Sequence, residues 1–120
     1  MKKLLFVLLM VLSGQVMAAQ EFDATDKWLL AASTMALAAD WSQTRYIAKH
    51  PDKFSEKNPI LGKHPSTQRV DVYFAASIAA NYFIANALPS AYRKTWLTGV
   101  TVFELGFVRH NYSIGIRSHF

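Results

Sequence analysis

Residues 72–88, VYFAASIAANYFIANAL, carry no charge. A stretch of this length and alanine content, free of internal proline and glycine, is a helix that lies either in lipid or against other helices. Two flanking stretches repeat the theme. The first opens near Asp23, where Asp26 three residues on supplies a carboxylate form of the capping box, and runs through WLLAASTMALAADWSQTRYIAKH until Pro51 stops it. The last follows the turn PSAYRK and runs through TWLTGVTVFELGFVRH. The pattern predicts an all-α chain with helices over about 24–49, 67–88 and 92–110.

The N-terminus has its own logic. MKK is a basic leader, LLFVLLMVL a compact apolar run, and SGQVMA ends with Val16 and Ala18 where a signal peptidase reads small residues. Residues 1–18 are therefore expected to be a signal peptide, leaving 19–120 as one helical domain. The competing reading is an uncleaved anchor, against which stands an apolar run shorter than the ~20 residues a span needs. The chain contains no cysteine, which excludes a disulfide framework, a thiol nucleophile and thiolate metal sites. Its net charge of +5 does not by itself mean nucleic acid, because the basic residues do not share a polar, aromatic-bearing surface.

Charge placement favours a bilayer. With the signal removed, the segment from Arg45 to Arg69 lies inside and carries Arg45, Lys49, Lys53, Lys57, Lys63 and Arg69. The opposite side has Lys27, Arg93 and Lys94, and the positive-inside rule agrees with the orientation the signal implies. The expected architecture is a three-helix polytopic bundle in a bacterial inner membrane, with the mature N-terminus periplasmic and the C-terminus cytoplasmic. Asp40 and Glu104 interrupt the first and third helices, so each is a weak span by hydropathy alone, and a soluble exported helical binding protein is the alternative. The basic side would meet anionic headgroups.

Polar residues within the apolar stretches are the candidate site. Asp40 and Glu104 each precede an arginine, Arg45 and Arg109, by five residues, which puts both carboxyls roughly 7 to 8 Å from the same helix ends. Ser33, Asp40, Gln43 and Thr44 share one helical face, and Ser77 and Asn81 share another. An intramembrane cluster of Asp40, Gln43, Thr44, Asn81 and Glu104 follows, turned inward because a lipid-facing carboxylate costs a few kcal/mol. It can act as a packing lock, with hydrogen bonds among these groups or ion pairs to Arg45 and Arg109. It can also act as a cation or proton site, which three helices per chain enclose only as an oligomer. His50, His64, His110 and His119 lack metal-ligand spacing, and no serine sits in a nucleophile elbow, so neither a metal, a cofactor nor an enzyme activity is indicated.

In the connection FSEKNPILGKHP, Asn58 can cap a turn that Pro59 begins and Gly62 ends, with Ile60 and Leu61 facing the bundle or the interface. The tail HNYSIGIRSHF alternates enough to form a short strand or an interfacial arm. DWSQT at Asp40 to Thr44 and EKNPILG at Glu56 to Gly62 resemble motifs of a group of small bacterial helical membrane proteins, Asp-x-x-Gln-Thr closing one helix and Glu-x-Asn-Pro before the next. The resemblance implies a helical membrane protein, marks Asp40, Gln43, Thr44, Glu56, Asn58 and Pro59, and suggests that the loop folds over the Asp40 and Gln43 face as a lid. The functional expectation is a small membrane protein acting by helix-helix association, as an oligomer or an accessory subunit. An oligomeric cation or proton pathway is the second reading.

Overall fold

The computed structural model describes residues 21–120, so the proposed signal peptide lies outside the described residues. Helix α1 spans Ala24–Lys49, α2 Thr67–Ala87 and α3 Ser90–Ser113. Each boundary has a local cause. At the start of α1 the Asp23 side chain accepts from Asp26 N at 2.7 Å and the Asp26 side chain accepts from Asp23 N at 3.1 Å, a reciprocal capping box. The helix ends at His50, because Pro51 offers no N–H and disfavours helical geometry in the residue before it. Ser66 caps α2 by accepting from Arg69 N at 3.1 Å, and Pro89 both ends α2 and serves as the N-cap of α3. The last helix starts two residues earlier and ends three later than the sequence pattern gives, since Ser90 takes helical geometry directly after Pro89.

The three helices run up, down and up. Helix α1 is the middle of the bundle and packs along both others, most extensively along α3, whereas α2 and α3 touch little. Joined by the tight turn at Leu88–Pro89, α2 and α3 separate toward their other ends and leave a cleft floored by α1. Leu61, Val70 and Phe74 form a small apolar core there, with Trp41, Ala48 and Tyr73 against it. The tail after α3 forms no strand among the described residues. It is an extended arm docked on α1: His119 N donates to Ser42 O at 3.0 Å, Arg45 Nε donates to His119 O at 3.0 Å, and the Phe120 ring meets Trp41 edge-on. Backbone pairing with a helix side chain and carbonyl, rather than with another strand, is the partner this arm finds.

Polarity is distributed against the usual order. Asp26, Ser33, Ser42, Gln43, Thr44, Asn81 and Arg93 are buried beside a modest set of apolar residues. Met35, Val72, Phe83, Val102, Phe103 and Leu105 are among many large apolar side chains that face outward, Met35 at 72% exposure and Val102 at 67%. Yet among the described residues no helix, taken alone, is long and apolar enough to cross a membrane. The expected membrane character thus gains nothing from individual helices, each of whose mean hydropathy is lowered by polar residues.

Candidate functional site

The cleft between α2 and α3 has a volume of about 820 Å³. Asp40 and Thr44 from α1 form its floor, Tyr73 and Phe74 one wall, Phe103, Glu104 and Phe107 the other. Residues 53–59 and Leu61 close the end, together with Ile114 and Ile116 from the tail. The side chains of Asp40 and Glu104 meet in the cleft, two carboxyls from α1 and α3 close enough to interact. Thr44 Oγ1 donates to Asp40 Oδ1 at 3.3 Å. Glu104 Oε2 is buried and no donor group of the described residues reaches it.

The loop over the cleft is built around Glu56 and Asn58. Glu56 Oε1 accepts from Lys57 N at 2.9 Å and Asn58 N at 3.1 Å, and Glu56 N donates to Lys63 O at 2.8 Å, clasping the loop's ends. Asn58 Oδ1 accepts from Ile60 N at 2.9 Å, while Asn58 O accepts from Leu61 N and Gly62 N. This is an Asx-type turn begun by Asn58, continued by Pro59 and closed by Gly62 in the left-handed region at φ +82°. Leu61 turns inward and is buried, whereas Ile60 points outward at 66% exposure. Burial pushes the Glu56 carboxyl above its ordinary range; the Asn58 and Lys57 amides pull it back, and the Asp40 charge adds to the rise. Thr44 donates to Asp40 and lines the cleft together with Glu56, and its single hydroxyl proton can serve one acid at a time.

The structure brings Asp40, Thr44, Glu104, Glu56, Asn58 and Pro59 to one cleft and places the other predicted residues elsewhere. Gln43 bridges α1 to α3, with Nε2 donating to Val108 O at 3.0 Å and Oε1 accepting from Asn111 Nδ2 at 3.2 Å. Asn81 belongs to a separate buried chain: its Nδ2 donates to Ser33 Oγ at 2.9 Å and its Oδ1 accepts from Trp96 Nε1 at 3.0 Å. Ser33 and Asp40 are seven residues apart on α1, about 10 Å, so the two groups are distinct. Arg45 is not the partner of Asp40. It pairs with Asp71, just past the first turn of α2, which also accepts from Trp41 Nε1 at 2.8 Å.

One network has no precursor in the sequence reading. Arg93 is buried and donates to Asp26 Oδ2, Ala85 O, Leu88 O and Glu21 O, with Phe22 stacked on its guanidinium at 4.2 Å. Lys94 reaches Asp23 at 2.8 Å and Asp26 at 2.7 Å. The signal was available: in an up-down-up bundle α1 and α3 begin at the same end, so the capping aspartates and the Arg-Lys pair must meet. Among the described residues no group of three His, Cys, Asp or Glu side chains is arranged to hold a metal ion. Set against protein-family models, curated proteins and solved structures, the chain matches none.

Proposed function

We propose that the chain is a small inner-membrane protein that inserts as a bundle and acts by helix-helix association, as an oligomer or as an accessory subunit of a larger complex. The observation that carries this reading is the polarity inversion: Asp26, Ser33, Gln43, Thr44, Asn81 and Arg93 are buried while Met35, Val72, Phe83, Val102, Phe103 and Leu105 face out. In water that arrangement forfeits hydrophobic burial; in hydrocarbon it satisfies the polar groups internally and gives lipid the apolar ones. Mean hydropathy along a single helix averages over both faces, so inward polar residues depress it without touching lipid.

The outward band has the right height. From Lys27 to Arg45 on α1 is eighteen residues, about 27 Å, and from Lys94 to Arg109 on α3 fifteen residues, about 22 Å. Within these limits the acids are Asp40 and Glu104, which meet in the cleft. A hydrocarbon core is about 30 Å thick. Arg45, Lys49, Lys53, Lys57, Lys63 and Arg69 then lie at one headgroup level, each contributing on the order of 1 kcal/mol with anionic lipid. On α2, Ala75, Ala76, Ala79 and Ala80 are exposed, a small-residue face suited to close approach by another helix.

Topology fusions test the reading. Alkaline phosphatase and fluorescent-protein reporters at Lys57, Ala91 and Phe120 are expected to report inside, outside and inside. Three external positions, with the processed chain remaining in solution without amphiphile, would overturn it.

A further inference from the structure

The cleft holds an acid pair that no ion pair among the described residues engages. Asp40 and Glu104 meet on the floor of a cavity among aromatic rings. Arg45 is paired with Asp71, and Lys94 with Asp23 and Asp26. Lys53, Lys57 and His110 line the same cleft but are exposed and make no ion pair with Asp40 or Glu104. Within the pair, Glu104 Oε2 is a buried oxygen that no donor of the described residues reaches, which calls for a donor from outside.

We propose that this cleft binds an amphipathic organic monocation, an aryl- or alkylammonium group whose N–H donors rest on Asp40 and Glu104 and whose apolar part lies against Phe74, Phe103 and Phe107. The chemistry of the walls selects this class. A bare metal ion needs a shell of six or more oxygens, whereas among the described residues no three acid or histidine side chains are arranged to hold one, and Phe, Ile and Leu supply eight of the twenty-one residues lining the cleft. An anion would meet three acids, Asp40, Glu56 and Glu104. At about 820 Å³ the cleft falls in the range of pockets that enclose small organic molecules, largely apolar with a few convergent polar groups. Aromatic faces beside an ammonium add cation–π attraction. Binding sets the ligand's positive charge against the acid pair and gives Glu104 Oε2 a donor. The inference does not rest on the bilayer reading, because the walls of the cleft come from one chain.

The test is a fluorine NMR titration of the full chain in phosphatidylcholine nanodiscs, a zwitterionic surface that does not concentrate cations, with empty nanodiscs as the blank. The probes are 2-(4-fluorophenyl)ethylammonium and its neutral counterpart 2-(4-fluorophenyl)ethanol. Saturable binding of one ammonium per chain is expected, at least about tenfold tighter than the alcohol, as a charge-assisted bond gives. Glu104→Gln and Asp40→Asn are each expected to weaken the ammonium by about tenfold and leave the alcohol unchanged. Equal affinity for the two probes, or ammonium signals identical to the blank, overturns the proposal. If either variant loses its helical circular dichroism, the ammonium-to-alcohol ratio on the unmodified chain decides alone. A chain that stays in solution without lipid is titrated in buffer, so failure of the bilayer reading leaves this test standing.

Discussion

Arg93 and Asp26 pair at 3.1 Å with neither side chain exposing any surface. The guanidinium also donates to Ala85 O at 2.6 Å and Leu88 O at 3.2 Å, so one residue at the start of α3 holds the start of α1 and the end of α2. Removing Arg93 leaves the buried Asp26 carboxylate with Lys94 as its one ion-pair partner among the described residues and takes the donors from Ala85 O and Leu88 O. Arg93→Met is therefore expected to cost about 3 kcal/mol or more, and Arg93→Lys nearly as much, because an ammonium cannot fan out to several carbonyls. Equilibrium unfolding in mixed micelles measures it. The double variant with Asp26→Asn should recover part of the loss; a cost below about 1 kcal/mol for Arg93→Met would show that the network does not hold the bundle.

The chain Ser33–Asn81–Trp96 has a fixed direction. An indole N–H only donates, so Asn81 must present its carbonyl to Trp96 and its amide to Ser33 Oγ, whose own proton goes to Leu30 O at 3.0 Å. Asn81→Ala strands the Trp96 donor and is expected to cost about 1 to 3 kcal/mol. A double-mutant cycle with Trp96→Phe should return a coupling of roughly 0.6 to 1.7 kcal/mol, the span of interhelical hydrogen bonds. A coupling indistinguishable from zero would mean that packing alone joins these helices.

What the sequence makes legible here is whatever depends on one helix at a time. Asp23 with Asp26 marks the start of α1, Pro51 and Pro89 mark stops, and Asn58 with Gly62 marks a turn, because each acts through its own backbone. The equal depth of Asp40 and Glu104 follows from helical rise alone. Lateral partners do not: whether Arg45 takes Asp40 or Asp71, or Asn81 joins Asp40 or Ser33, depends on rotation and tilt between helices. Arg93 is the sharpest case, since an arginine beside a turn reads as a surface charge until the bundle's ends are superposed in space.

Gly62 offers a test confined to the backbone. Its φ is +82°, and a Cβ added there meets nothing within 4 Å, so Gly62→Ala introduces no clash and isolates the conformational cost. That cost is about 1 kcal/mol. Because Leu61 N and Gly62 N both donate to Asn58 O, hydrogen exchange at these two amides is expected to accelerate about fivefold. Gly62→Asn, whose side chain tolerates the left-handed region, should accelerate them less. Unchanged exchange in Gly62→Ala would place the turn's rigidity in Pro59 instead.

The Glu56 carboxyl should make loop closure sensitive to pH in a definite direction. Burial raises its folded value above the ordinary 4.5, so the closed loop binds the proton more tightly than the open chain. The stabilisation this gives is complete below the ordinary value and is lost as pH climbs through the raised one. Protection of the Lys57 and Asn58 amides, corrected for intrinsic exchange, should therefore fall from acidic toward neutral pH. Glu56→Gln keeps an oxygen for those two amides, which lie at 2.9 and 3.1 Å, and removes the charge. Its protection is expected to stay at the acidic level across the range. Asp40, Glu104, Lys53, Lys57 and His110 face the same cleft, and a profile unchanged by Glu56→Gln would show that Glu56 is not the group responsible.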